Sequence, residues 1–222
     1  MKPLSPAPNL VEQVHDAILG EIAGGQLASG ERIIQEQIAK TLGVSRQPVQ
    51  QALALLRKQG VLQDAPGRGL IVAPLDADFV QHMYEIRAVV EGLACRRAAE
   101  LNAARAAQQG PALIDAGRKA TAGGSLAKLI AADMRFHQFI YGLSGNPLIG
   151  PAMAPYWTNT QRVMGEVVTH DEGPHDIWDQ HERIVQAIAA GDAEGAETLA
   201  RAHITLAADY MRVRLLSGLA PA

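Results

Sequence analysis

Residues 38–60, IAKTLGVSRQPVQQALALLRKQG, read as two short helices joined by a tight turn. Ile38, Ala39 and Leu42 are apolar at helical spacing, which gives the first helix one buried face. Gly43 is suited to ending it, because glycine enters the left-handed conformation without a Cβ clash. Val44 is expected to turn back into the core. Ser45 stands at an N-cap position, and Pro48 falls in the first turn, where its missing N–H is not needed. Val49, Ala52, Leu53 and Leu56 then form one apolar stripe. The opposite face carries Arg46, Gln47, Gln50, Gln51, Arg57 and Lys58. This is the helix-turn-helix pattern, whose second helix sets its N-terminal residues against base edges. Arg46 can fork onto guanine, and Gln50 can pair with adenine. The competing reading is an ordinary helical hairpin with a solvated polar face.

The following segment favours the DNA reader. Val61-Leu62-Gln63 reads as a strand, 65–69 (APGRG) as a turn, and Leu70-Ile71-Val72 as the returning strand. A hairpin directly after a reading helix is a wing. Its tip carries Arg68 between Gly67 and Gly69, small enough to approach a sugar-phosphate backbone or a minor groove. The expected DNA-contacting set is Arg46, Gln47, Gln50, Arg57, Arg68 and Gly69. Ahead of it, Val11, Val14, Ile18 and Ile22 recur at helical spacing, predicting an amphipathic helix over 10–23 closed by Gly24-Gly25. Arg32 just precedes the supporting helix, where it either touches phosphate or stays solvated.

Residues 10–75 resemble the winged helix-turn-helix of the GntR family of bacterial transcription regulators. The resemblance rests on Gly25-x-Leu27-x-x-Gly30, on Ile38-Ala39-x-x-Leu42-Gly43-Val44-Ser45-Arg46-x-Pro48-Val49, on Ala52-Leu53-x-x-Leu56, on Gly60-Val61-Leu62 and on Gly67-Arg68-Gly69. The chain departs from the family pattern at Gln50-Gln51, where Arg-Glu is usual, and at Ser29, where proline is usual. The loss of an arginine from the reading face implies a different operator sequence.

The chain has 222 residues, enough for two domains of ordinary size. Its apolar content is 48% but its aromatics only 4%, so alanine and leucine must fill the core, which favours close-packed helices. Net charge is −3. Residues 1–75 hold seven Lys/Arg against six Asp/Glu, and the remainder thirteen against seventeen. The reader is therefore scarcely basic, and non-specific DNA binding should be weak and salt-limited. Cys95 is the single cysteine, expected to be a small buried residue; no disulfide framework is available, which suits the cytoplasm. The opening MKPLSPAPN lacks an apolar core, so no signal peptide is expected, and no run reaches transmembrane length.

Pro74-Leu75-Asp76-Ala77-Asp78 marks the boundary between a reader at 1–75 and a second domain at 76–222. Six helices are expected there, at about 78–101, 104–121, 125–144, 147–170, 174–190 and 193–216. Short loops between long helices predict an antiparallel six-helix bundle, so the whole chain is expected to be mostly α. Asp133 and His137 are i,i+4 and share a helix face. His181 lies ten residues before the Gly191 turn and His203 twelve after it, so in a helical hairpin both stand roughly 15–18 Å from the turn and come level. A carboxylate with three imidazoles in a bundle core can hold a divalent transition metal, zinc foremost, with nickel, manganese, iron or cobalt also suited. The alternative for each histidine alone is a surface or hydrogen-bonded core group, which is the expectation for His15, His82, His170 and His175.

Residues 79–215 are similar to the FCD ligand-binding domain that accompanies GntR readers of the FadR/VanR type. The matching pieces are Tyr84-Glu85-x-Arg87-x-x-x-Glu91-Gly92-x-Ala94, Asp133-x-x-Phe136-His137, Ser144-Gly145-Asn146-Pro147, and His181-x-x-Ile184-x-x-Ala187-Ile188-x-x-Gly191-Asp192 followed by Ala200-x-x-x-His203. The resemblance implies that Asp133, His137, His181 and His203 are metal ligands, that six helices place the chain in the VanR-type branch, and that the effector is a small carboxylate or sugar acid. Arg87 is the expected effector anchor, since its fork matches a carboxylate; the competing role is an ion pair with Glu91 one turn on. Asn159 and Arg162 are further candidates for the pocket. Tyr156, Trp157 and Trp178 are expected in the core or pocket wall.

The expectation is a metabolite-responsive transcription regulator, a repressor acting as a homodimer on palindromic operator DNA, with no membrane partner. Two rivals remain. One is a hydrolase-like metalloenzyme with a DNA-binding appendage, although the chain has no His-Glu-x-x-His motif. The other is a metal that only stabilises the bundle.

Overall fold

The structure is a computed structural model that describes residues 10–168 and 177–218. It divides into two compact units, 1–74 and 75–222.

In the first unit α1 (Leu10–Ala23) packs against α3, and β1 (Arg32–Ile33) leads into α2 (Gln35–Leu42) and α3 (Arg46–Lys58). The wing strands are β2 (Leu62–Asp64) and β3 (Leu70–Val72), and the sheet order is β1-β3-β2, antiparallel throughout. β1 was not anticipated: Arg32 pairs with Ile71 and Ile33 with Leu70, so Arg32, which does stand just before α2, also starts a strand. A two-residue strand has no periodicity to detect, and only its partner defines it. Gly43 closes α2 at φ 65°. Ser45 is the α3 N-cap in extended conformation, but its hydroxyl makes no capping bond. The core joins Val14, Ile18 and Ile22 of α1 to Val49, Ala52, Leu53 and Leu56 of α3 and Leu62 and Val72 of the wing.

The second unit is all helical among the described residues. α4 (Ala77–Ala122) runs on where two helices were expected, and Asn102 is the kink between its halves, at φ −139° and ψ 30°. Its side-chain amide donates to the Leu143 carbonyl at 2.7 Å, a tertiary bond that holds the bend. Asp76 caps α4, accepting from the amides of Asp78 and Phe79. α5 (Leu126–Leu143), α6 (Ile149–Val168), α7 (Ile177–Ala189) and α8 (Ala193–Gly218) follow. α4 is the central helix, in contact with α5, α6, α7 and α8. Small residues let it approach them: a Cβ on Gly117 would meet the Trp178 ring at 2.1 Å, and one on Gly110 would meet Val185 at 2.3 Å. Cys95 is buried in this core, and burial pushes its thiol up. No helix among the described residues is long and apolar enough to cross a membrane.

Candidate functional site

On the reader, the polar face of α3 is outward as its periodicity predicts. Arg46, Gln47 and Gln50 are exposed near its start, and Val49, Ala52, Leu53 and Leu56 are buried behind them. Arg46 pairs with Glu36 of α2 at 2.5 Å, both side chains largely exposed. Arg57 lies at the other end of the helix, roughly 16 Å along the axis, and its guanidinium donates to Asp64 of β2 at 3.1 Å. The wing tip is exposed at Arg68 and Gly69, and Gly67 and Gly69 have φ of 95° and 93°, values that glycine alone adopts freely.

In the helical unit, the structure gathers the expected ligands at one level of the bundle. His137 (α5), His181 (α7) and His203 (α8) are buried and offer nitrogens that all lie within 4.8 Å of one another. His181 Nε2 is 3.1 Å from His203 Nε2. Asp133 Oδ1 is 3.7 Å from His181 Nε2 and 3.9 Å from His137 Nε2. The outer nitrogens have partners of their own. His137 Nδ1 donates to Glu91 Oε2, and His203 Nδ1 stands 2.9 Å from Gln180 Oε1. A hydrogen at each Nδ1 leaves the Nε2 lone pair facing inward, the arrangement of metal-ligating histidines. His181 Nδ1 is buried and makes no hydrogen bond among the described residues. Aromatic rings position this imidazole instead: Phe136 stacks on it at 3.8 Å and Trp178 meets it edge-on at 4.8 Å.

Electrostatics supports the same reading. Burial, then the neighbouring His203 and His137, hold His181 well below the usual imidazole range. Burial and His137 lower His203 to about 3. Both rings are thus neutral, the form that ligates. The three imidazoles therefore could hold a divalent cation, and Asp133 lies 3.7–3.9 Å from two of them.

Arg87 is buried beside this cluster. Its Nε donates to Glu91 Oε1 at 2.8 Å and its Nη1 to Thr160 Oγ1 at 3.3 Å. The guanidinium lies over the rings of Tyr84 at 4.8 Å and Trp157 at 4.7 Å. The competing role, an ion pair with Glu91, is present, and it lies buried against the histidine cluster rather than on the surface. Burial opposes the Glu91 charge, but His137 and Arg87 outweigh it and bring the carboxyl to about 2. Asn159 and Arg162 are buried on α6. Trp157 and Trp178 are buried, Tyr156 partly so. His15 is hydrogen-bonded to Asp16 and Gln59, and His82 is exposed. His170 and His175 lie outside the described residues.

The sequence reading missed three supports: the second oxygen of Glu91 on His137, Gln180 on His203, and the Phe136 ring on His181. Glu91 was visible as part of the FCD-like motif and as an i,i+4 partner of Arg87. Its bond to His137 crosses from α4 to α5 and leaves no local trace.

Comparison with known proteins agrees with both halves. The family described as "Bacterial regulatory proteins, gntR family" matches residues 10–72, and the FCD domain family matches residues 82–206. The chain is 29% identical over 195 residues to the probable D-xylose utilization operon transcriptional repressor of Paenarthrobacter nicotinovorans, covering 88% of this chain and 85% of that protein. It is 23% identical over 209 residues to the HTH-type transcriptional repressor RspR of Escherichia coli K12, covering 94% and 92%. The solved structure of E. coli McbR/YncC shares the fold, with a TM-score of 0.76 at 22% identity, covering 94% of this chain and 98% of that one. The matched families and relatives are transcription regulators and not enzymes, which removes the support for a metalloenzyme. The chain belongs to the GntR family of bacterial transcriptional regulators and carries an FCD domain C-terminal to its DNA reader.

Proposed function

We propose that this regulator is a repressor whose operator affinity is set by a small carboxylate or sugar acid bound at a divalent metal in the FCD domain. The observation that carries the reading is the buried cluster of three inward-facing imidazoles with Asp133, set beside a buried arginine. Asp133, His137, His181 and His203 hold the cation, zinc by preference for this nitrogen-rich set. When bound, the cation supplies a Lewis-acidic charge to which an anionic oxygen can add. Arg87 supplies the second anchor; Glu91, Thr160 and two aromatic faces already hold its fork, so little ordering entropy remains to be lost on binding. Asn159 and Arg162 complete the pocket.

The DNA half of the proposal assigns base contacts to Arg46, Gln47 and Gln50 and backbone contacts to Arg57, Arg68 and Gly69. Repression is supported by the names of the two relatives above. A homodimer is supported by α4, which leaves Phe79, Ile86, Val89 and Leu93 exposed along one face; an apolar stripe of that spacing fits a second copy on a two-fold axis. Effector and operator are then linked by a coupling free energy between two sites of one chain.

Fluorescence anisotropy on DNA upstream of the coding region, at near-physiological salt and with competitor DNA, tests this reading. Zinc-loaded protein should bind tightly and be released by one member of a panel of small carboxylates and sugar acids. Unchanged DNA and effector binding after exhaustive chelation would refute the metal half.

A further inference from the structure

Glu91 spans the two functional elements of the FCD site. Both of its oxygens are used, one on the Nε–H of Arg87 and the other on the Nδ1–H of His137. The side chain is buried and fixed on α4, the helix that also carries Arg87. The electrostatic influence of Glu91 extends to the phenol of Tyr141, which burial and this carboxylate together push up. We infer that Glu91 is the positioning residue that ties the effector anchor to the metal centre: its two acceptor oxygens simultaneously fix the Arg87 fork and hold the His137 proton on Nδ1. This inference rests on the metal reading proposed above.

Donor and acceptor count sets what can stand at this position. Arg87 Nε–H and His137 Nδ1–H both donate, so the residue between them must accept twice. An ionised carboxylate does so, whereas an isosteric amide has one accepting oxygen and an NH2 that only donates. With glutamine at this position, an oxygen kept by Arg87 turns the NH2 toward His137. His137 Nδ1 must then accept, and its proton moves to Nε2. A protonated Nε2 has no lone pair for a metal. The tautomer that ligates is thus set by whichever group wins the single acceptor, and Arg87 is the competitor.

This gives a signed expectation that a through-space charge effect does not. Glu91→Gln should weaken Co2+ binding, followed by the visible absorption of the bound ion, about 10–100-fold, the range for loss of an outer partner of a metal-bound histidine. Arg87→Met in that background frees the amide oxygen for His137 and should recover about fivefold or more, a coupling of ordinary size for residues in one network. Arg87→Met with Glu91 in place should move the affinity by less than about threefold, because His137 already has its acceptor. An equal shift in both backgrounds would mean that Arg87 acts by its charge alone, and the inference falls. So would wild-type affinity in Glu91→Gln. If the wild-type protein takes up no Co2+ or Zn2+, the metal reading itself fails and this inference with it. Should the variants not fold by near-ultraviolet circular dichroism, 15N–1H correlation of the metal-free wild-type imidazoles decides. The proton of His137 must sit on Nδ1, and an Nε2–H tautomer overturns the assignment.

Discussion

His181 and His203 meet Nε2 to Nε2 at 3.1 Å, on two helices joined at Gly191. Two neutral imidazoles buried this way give one hydrogen bond at most, yet both rings are withheld from water. The arrangement is costly unless something else uses the lone pairs. A cation does, and binding only to the folded chain it stabilises the fold by mass action. Zinc at micromolar excess should raise the melting temperature, and His203→Ala should abolish most of that rise while leaving a folded protein. Equal melting curves with and without zinc would remove the cation from the account.

The same burial fixes a pH dependence for the metal-free protein. In the unfolded chain His203 takes a proton near pH 6.5, and in the folded chain only near 3. Between those values the unfolded state binds the extra proton, so stability falls as pH drops from about 6.5 toward 3. His181, also lowered, contributes in the same direction. The slope approaches about 1.4 kcal/mol per pH unit for each such histidine. Urea titrations across pH 4–7 should show the midpoint falling with acid, and His203→Gln should flatten the trend. Midpoints independent of pH would contradict the buried neutral rings.

On the reader, Arg46 is held by Glu36 at 2.5 Å and must leave it to reach a base. Arg46→Ala should weaken operator binding by about 1–3 kcal/mol, as for loss of a bidentate base contact. Glu36→Gln should strengthen it modestly, by up to about 1 kcal/mol at low salt, the scale of an exposed ion pair. Anisotropy titrations at two salt concentrations would measure both. A Glu36→Gln variant that binds more weakly would show that Glu36 orients Arg46 instead of restraining it.

Gly117 sits where Trp178 crosses α4, and a methyl group there would meet the ring at 2.1 Å. Gly117→Ala should therefore destabilise the protein by about 1–3 kcal/mol through overpacking. Because Trp178 also lies edge-on to His181, the substitution should weaken zinc binding as well. A loss of stability with unchanged zinc affinity would show that Trp178 moves without disturbing the imidazole.

The α4 stripe predicts an oligomeric consequence. Ile86→Glu together with Leu93→Glu places charges on an exposed apolar face and replaces no buried residue. Light scattering should report a monomer, and operator affinity should fall by more than about tenfold, since each protomer then binds a half-site alone. A variant that remains dimeric would place the two-fold contact elsewhere.

Much of this was readable from local pattern. α1 and α3 follow from apolar spacing, the α2 end from Gly43, and the wing from its Gly-rich turn, because each signal lies within a few residues of the element it defines. The level of His181 and His203 could be counted from one turn. The Asn102 kink was placed correctly as a break but read as a separation of two helices. Whether the chain bends or stops there depends on the bond from Asn102 to Leu143, forty-one residues away.

The sequence by itself determined the reader and the helical class, since spacing and residue type are enough for those, and the resemblance of its motifs gave the family and singled out four candidate ligands. Only the tertiary structure decided that the Arg87–Glu91 pair is buried beside the histidine cluster, that Glu91 also meets His137 of α5, and that Phe136 of α5 stacks on the His181 ring of α7. Each of these depends on one helix being packed against another across a desolvated core, even where the paired residues, as Arg87 and Glu91, share a helix. There an unpaired charge or donor is expensive and its partner is set by packing, so the choice appears only when the helices are assembled.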